Sequence, residues 1–170
     1  MIKHSSTNKI FSFGPLILLY YLSLSEIDSH FENFFEILSF NIQLIIIYYW
    51  VSKRPELLGS GHIFLAGLLN DVVTGIPLGL SSLTYLVVSL VATYIKNMTV
   101  NTRITTDMFT FFIAIFFSNL TLYVLLSKFS EATITMEEMS YNTFFTLIFF
   151  PFFWFIFSFY NSVILSNKNV

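Results

Sequence analysis

The chain has no cysteine and few charged residues. Without cysteine there can be no disulfide, no thiolate metal ligand and no cysteine nucleophile. Only 11% of the 170 residues are charged, whereas a soluble domain carries roughly 25%. A soluble globular enzyme is therefore excluded, because its water-facing surface could not be assembled. The net charge of −2 offers no basic surface for nucleic acid.

Apolar residues are abundant and make up 55% of the chain, with 22 Phe and 9 Tyr. This content also excludes a disordered chain. The length suits one domain and not two. The composition therefore predicts an all-α integral membrane protein with a single transmembrane domain over residues 1–170. Phe at this density is typical of lipid-facing surfaces, and an aromatic ligand site is the alternative.

Six apolar stretches are candidates for membrane-spanning helices. One crossing needs about 20 residues, and the long apolar stretch from 62 to 95 exceeds that, so we divide it at the glycine- and proline-containing step 75–79. Several of the spans are expected to be short or tilted. The predicted spans are 10–24, 37–51, 62–75, 79–95, 109–127 and 141–163.

The basic residues alternate between the two sides of these six spans. Cytoplasmic loops are enriched in Lys and Arg, so the side that holds seven of the eight basic residues is predicted to be cytoplasmic. Both termini lie on that side in this topology. Lys128 alone lies on the other side. A cleavable signal peptide is the alternative for the start of the chain, but its cleavage site would favour Ala where Ser23-Leu24-Ser25 stands. The seven are Lys3, Lys9, Lys53, Arg54, Lys96, Arg103 and Lys168.

The segment between the first two spans is amphipathic. Apolar residues recur at helical spacing over 27–38, and acidic and polar residues fill the other face. Because anionic headgroups would repel the acidic face, we expect this segment to dock on a partner or on the protein's own loops.

Asp71 is the only charged residue inside a predicted span. A charge at the bilayer centre costs about 2.5–3.5 kcal/mol on insertion scales, so it normally faces the protein interior. We expect it to accept hydrogen bonds from the backbone of 75–79 or from the hydroxyls of Ser81, Ser82 and Thr84. A proton or ion relay is the alternative. The structural role predicts that Asp71→Leu lowers the folded yield and that Asp71→Asn is largely tolerated.

The second predicted span ends in an aromatic run followed by a proline. Residues 48–50 are Tyr-Tyr-Trp, and their position predicts an aromatic belt at the membrane interface. Pro55 disfavours helical geometry at Arg54, so the helix should end there. A topological anchor explains this segment, and a specific cytoplasmic contact by Arg54 and Glu56 is the alternative.

Pro151 lies in the middle of the last predicted span. A proline there removes one backbone hydrogen bond and predicts a kink. The concave side of such a kink is a candidate docking groove for a partner helix.

One set of residues, most of them between 48 and 85, forms a recognisable pattern. It consists of the aromatic run 48–50, Arg54, Pro55, Glu56, Gly67, Asp71, Gly75, Pro77, Gly79, Tyr85 and, in the last span, Pro151. With these residues the segment resembles the rod-shape-determining MreD family of bacterial inner-membrane proteins. The specific part of the resemblance covers about 40 residues, and the chain length, the six predicted spans and the proline- and aromatic-rich last span are also similar to those of the family.

This resemblance implies a multi-pass, non-enzymatic component of the cell-elongation complex in the inner (cytoplasmic) membrane, with no cofactor. It implies that the protein binds an MreC-like single-span periplasmic protein and acts in control of cell shape. The implied indirect partners are MreB filaments and the peptidoglycan synthases, namely a RodA-type glycosyltransferase and a class B penicillin-binding protein. The implied fold is similar to the S-component of energy-coupling-factor transporters.

A substrate-binding S-component of a vitamin transporter is the chief alternative. Such subunits commonly present an Ala-x-x-x-Ala face on their first helix, but span 10–24 contains no alanine. Polar residues that could line a ligand pocket are few, namely Asn41, Gln43, Asp71 and Asn119.

Catalysis is not expected. His4, His30 and His62 lie on both sides of the membrane in the predicted topology, so they cannot converge on one metal ion. No second buried carboxylate is expected to accompany Asp71 for acid–base chemistry.

Overall fold

The computed structural model describes residues 13–25, 41–98, 103–129 and 136–166, and this part of the chain contains six helices and no strand. The predicted all-α class is confirmed for it. The amphipathic segment 27–38 lies outside the described residues. The helices are α1 Gly14–Leu24, α2 Ile42–Lys53, α3 Ser60–Thr74, α4 Leu80–Met98, α5 Ile104–Phe129 and α6 Met136–Ser166.

The second helix is the centre of the bundle. It packs against α1, α4, α5 and α6, and every residue from 44 to 52 is buried. A helix that is apolar all round is expected in such a position, since each of its faces needs an apolar neighbour.

The aromatic run at the end of α2 is part of the core. Tyr48, Tyr49 and Trp50 are at most 2% exposed. Tyr48 contacts the stacked rings of Phe111 and Phe150, whose centroids are 4.2 Å apart. The prediction of an interfacial belt was therefore wrong. Their position at the end of a predicted span would bring them near the membrane surface, but the helices packed around α2 enclose them.

The fifth and sixth helices are long and apolar enough to span a membrane. In the most apolar 18 residues of each helix, 28% of α5 and 17% of α6 is buried, whereas a core helix of a water-soluble domain is mostly buried. Their exposed faces carry large apolar side chains, among them Phe116, Phe155 and Phe159. These faces are suited to contact with lipid.

Both helices extend beyond the apolar stretches from which they were predicted. The fifth begins at Ile104 and the sixth at Met136, each five residues before the predicted start of its span, because polar residues continue the helix past the apolar section. Pro151 lies inside α6, which remains helical on both sides of it.

Candidate functional site

The connection between α3 and α4 is a tight break held by two glycines. The helix α3 ends at Thr74 because Gly75 adopts a left-handed conformation with φ of 68°, as is common at helix C-termini. Gly79 has φ of 99° and immediately precedes α4. A side chain at either position would be strained. Pro77 lies between them.

The carboxylate of Asp71 caps the N-terminus of α4. Its Oδ2 accepts a hydrogen bond from the backbone N–H of Gly79 at 2.6 Å, and its Oδ1 accepts one from the N–H of Ser81 at 2.8 Å. A negative charge is favourable there because the first N–H groups of a helix have no partner inside it. Asp71 is fully buried. The predicted hydrogen bonds to the helix break are thus present, and both carboxylate oxygens are engaged by backbone.

The hydroxyl groups of Ser81, Ser82 and Thr84 form hydrogen bonds with partners other than Asp71. Ser81 Oγ receives a hydrogen bond from Asn70 Nδ2 at 3.0 Å, and Asn70 Oδ1 accepts one from Gln43 Nε2 at 3.2 Å. This chain of contacts links α2, α3 and α4. Ser82 and Thr84 each donate to a backbone carbonyl, that of Phe64 for Ser82 and that of Leu80 for Thr84.

Gly67 allows α3 and α4 to touch. A Cβ added at Gly67 would lie 2.4 Å from Ser82 Cα and 2.5 Å from its backbone nitrogen, closer than real contacts permit. On the same side of α4, Tyr85 is buried in the core. Gly67, Asp71, Gly75 and Gly79 therefore act together to shape one helical hairpin.

The other end of the bundle contains a buried ion pair that the sequence did not reveal. Lys53 Nζ, in the last turn of α2, lies 2.7 Å from Asp107 Oδ2, in the first turn of α5. Trp154 Nε1 of α6 donates to the same oxygen at 2.8 Å, and the ammonium group lies 5.9 Å from the centre of the Trp154 ring. One carboxylate thereby joins three helices.

A second carboxylate is buried, since the Asp107 side chain is only 5% exposed, but it does not accompany Asp71. Asp107 lies two residues before the predicted span 109–127, outside the apolar stretch. Its position just before an apolar stretch could have indicated a helix start, where acids are favoured. Its partner in α2 is fixed only by tertiary packing. Asp71 is 11 residues into α3, about 16 Å along the helix from the end near Lys53, so the two acids do not form a pair.

The loop from α2 to α3 is closed by a local ion pair. The backbone of Arg54 is no longer helical, with φ of −144°, as the following Pro55 predicts. Its Nε lies 2.5 Å from Glu56 Oε1, and its Nη1 lies 3.4 Å from Asn161 Oδ1 of α6. Partial burial raises the pKa of the Glu56 carboxyl. Hydrogen bonds from its own backbone and from Arg54 lower that pKa by more than burial raises it, so the pKa lies below its ordinary value. Arg54 and Glu56 are thus engaged within the protein.

The described residues do not form a recognisable metal centre, since none of their His, Asp and Glu side chains cluster in groups of three or more. His62 Nδ1 lies 3.1 Å from the hydroxyl of Tyr20 on α1. His4 and His30 fall outside the described residues.

Comparisons of the chain with models of known protein families, with curated proteins and with solved structures find no match. The family resemblance and the S-component-like fold that it implies therefore stay predictions.

Proposed function

We propose that this protein is a non-catalytic membrane scaffold of the bacterial cell-elongation complex. In this proposal it binds the transmembrane helix of an MreC-like single-span periplasmic protein. Through that partner it couples MreB filaments to peptidoglycan synthesis by a RodA-type glycosyltransferase and a class B penicillin-binding protein. It requires no cofactor.

The observation that carries the proposal is the α3–α4 hairpin. Four of the residues on which the MreD resemblance rests have interdependent roles there: Gly67 permits the close helix contact, Asp71 caps α4, and Gly75 and Gly79 form the break. Each of the four residues therefore has a structural reason to be the residue type that the resemblance requires.

The proposed location is the inner (cytoplasmic) membrane, with six spans and both termini in the cytoplasm. Membrane insertion is supported by α5 and α6, which are long and apolar enough to cross a bilayer. Seven of the eight basic residues lie on the side assigned to the cytoplasm.

Two of the polar residues that a vitamin-binding pocket would use are hydrogen-bonded within the protein. Gln43 donates to Leu22 O and Asn70 Oδ1, and Asp71 binds the backbone of α4. This use favours the scaffold over an S-component.

The experiment that tests the proposal is depletion of the protein in its native host, followed by imaging of cell shape. The scaffold predicts that rods swell into spheres and that added nutrients do not restore them. Normal rods with a growth defect that a vitamin relieves would reject the scaffold in favour of a transporter subunit.

A further inference from the structure

An open groove runs between α5 and α6. It has a volume of about 460 Å³ and its lining is predominantly apolar. The sixth helix packs mainly against α2 and α5, and the groove lies along its contact with α5. The lining includes Phe116 and Leu120 of α5 and Phe144 and Leu147 of α6.

One amide in this groove has unused hydrogen-bonding capacity. Thr143 donates its only hydroxyl proton to Met139 O at 2.7 Å, so the contact between Thr143 and Asn119 must be an N–H of Asn119 donating to the hydroxyl oxygen. That fixes the orientation of the amide. The Asn119 carboxamide oxygen and second N–H then have no partner among the described residues, although Asn119 lines the groove.

A second polar group lies one turn further along α5. Tyr123 also lines the groove, is 37% exposed, and makes no hydrogen bond within the described part of the chain. Asn119 and Tyr123 are four residues apart and so lie on the same face of the helix. The groove is therefore predominantly apolar, and two of its polar side chains lie on the same face of α5.

The depth of Asn119 restricts what can satisfy it. The residue is 15 positions after Ile104 and 10 before Phe129, or about 22 Å and about 15 Å from the two ends of α5. If α5 crosses the bilayer, this lies well inside a hydrocarbon core about 30 Å thick. Lipid tails at that depth have no hydrogen-bond donor, and an unsatisfied amide oxygen there is costly.

We infer that the α5–α6 groove is the docking site for a single transmembrane helix of another protein, one that carries a Ser, Thr, Asn or Gln donor opposite Asn119. A second copy of this chain suits the groove less well, because a two-fold interface must be self-complementary and a concave surface does not fill itself. A helix in the groove gains close packing and a polar contact, which drive helix association in lipid. The inference rests on the proposed function, since it identifies where that scaffold holds its partner.

The test places a photocrosslinking amino acid at Leu120 or Leu147 in the groove and, as matched controls, at Phe109 of α5 and Phe159 of α6, which are exposed outside it. The full chain is expressed in its native membrane, and the crosslinked peptides are identified by mass spectrometry. The inference predicts that the groove positions, and not the controls, crosslink to a transmembrane segment of one partner that has a polar donor. Adducts with lipid alone, or with a second copy of the chain, would overturn it.

A pair of variants then examines Asn119 itself. Asn119→Leu removes the unused amide, whereas Thr143→Val removes only the internal acceptor that ties α5 to α6. We expect Asn119→Leu to reduce crosslinking about threefold or more relative to Thr143→Val, the factor that corresponds to an average interhelical hydrogen bond of about 0.6 kcal/mol. Equal yields from the two variants would contradict the role of Asn119.

The outcome is separable from that of the proposed function. Loss of cell shape on depletion, combined with groove positions that crosslink only lipid, would reject the docking site and keep the scaffold. A partner helix captured in the groove of a protein whose depletion leaves cell shape unchanged would keep the docking site and reject the elongation role.

Discussion

Two buried carboxylates have distinct partners in this protein. Asp71 accepts two backbone N–H groups, and Asp107 accepts from an ammonium and an indole. Each therefore meets the requirement that a buried charge be paired or hydrogen-bonded. Each also joins elements that are separate in sequence, so its removal should affect folding more than a typical surface substitution.

Asp71→Leu is expected to destabilise the protein by roughly 2–6 kcal/mol, because two backbone N–H groups lose their acceptor and each orphaned group costs about 1–3 kcal/mol. Asp71→Asn has one acceptor oxygen where the carboxylate has two, so it should fall between Leu and the wild type. The earlier expectation that Asn is largely tolerated is revised for this reason. Thermal unfolding of the purified protein in detergent measures both, with Thr74→Val as a control on an exposed turn of the same helix. An Asp71→Leu protein as stable as the control would contradict the capping role and favour a functional charge.

The Lys53–Asp107 pair should behave as a buried ion pair. Either Lys53→Met or Asp107→Leu leaves one uncompensated charge and is expected to cost about 3–5 kcal/mol. The double variant removes both charges and should be more stable than the Asp107→Leu single variant. The same thermal unfolding experiment measures this, and Glu56→Gln provides a control at an exposed pair worth about 0–1 kcal/mol. Additive losses in the double variant would show that the two charges do not interact.

The α3–α4 hairpin is the element whose shape depends most on particular residues. Its break is encoded locally by Gly75, Pro77 and Gly79, and for that reason it was predictable from the sequence. The end of α2 before Pro55 was predictable on the same ground. The hydrogen bonds of Asp71 to the backbone of the break were also predictable, since a lone charge in an apolar stretch needs polar partners nearby.

Other features of these elements depend on contacts between distant parts of the chain. The run 48–50 reads as an interfacial belt, yet packing around α2 buries it. The pairing of Asp107 with Lys53 joins residues 54 positions apart. The groove at Asn119 is formed by side chains of two helices, α5 and α6. No local pattern in the sequence specifies such arrangements.

The contact between α3 and α4 gives a prediction with a matched control in the same helix. Gly67→Ala would place a methyl group 2.4 Å from Ser82 Cα, so the helices must move apart. We expect a loss of about 1–3 kcal/mol or more. Gly61→Ala adds the same methyl group where nothing lies within 4 Å, and it should be neutral or stabilising by up to about 1 kcal/mol. Comparable thermal midpoints for the two variants would contradict the close helix contact.

At the scale of the whole molecule, the proposed topology places successive loops on opposite sides of the membrane. The chain has no cysteine, so a single introduced cysteine reports its own position without background. Gly59 in the α2–α3 loop and Leu78 in the α3–α4 break are both exposed. The reagent is a maleimide that does not cross the inner membrane, applied to cells whose outer membrane has been permeabilised. It should label Leu78→Cys. It should label Gly59→Cys only after the inner membrane is opened. Labelling of both in intact cells would contradict the alternating arrangement.

As a scaffold of the elongation complex, the proposed protein would support wall synthesis along the cell's length without catalysing a reaction itself. The most direct measurement is the incorporation of a fluorescent D-amino acid into peptidoglycan in the native host, imaged before and after depletion of the protein. We expect incorporation along the side wall to decline while incorporation at the division site continues, and the wild-type protein to restore the original pattern. Unchanged side-wall incorporation in fully depleted cells would contradict it.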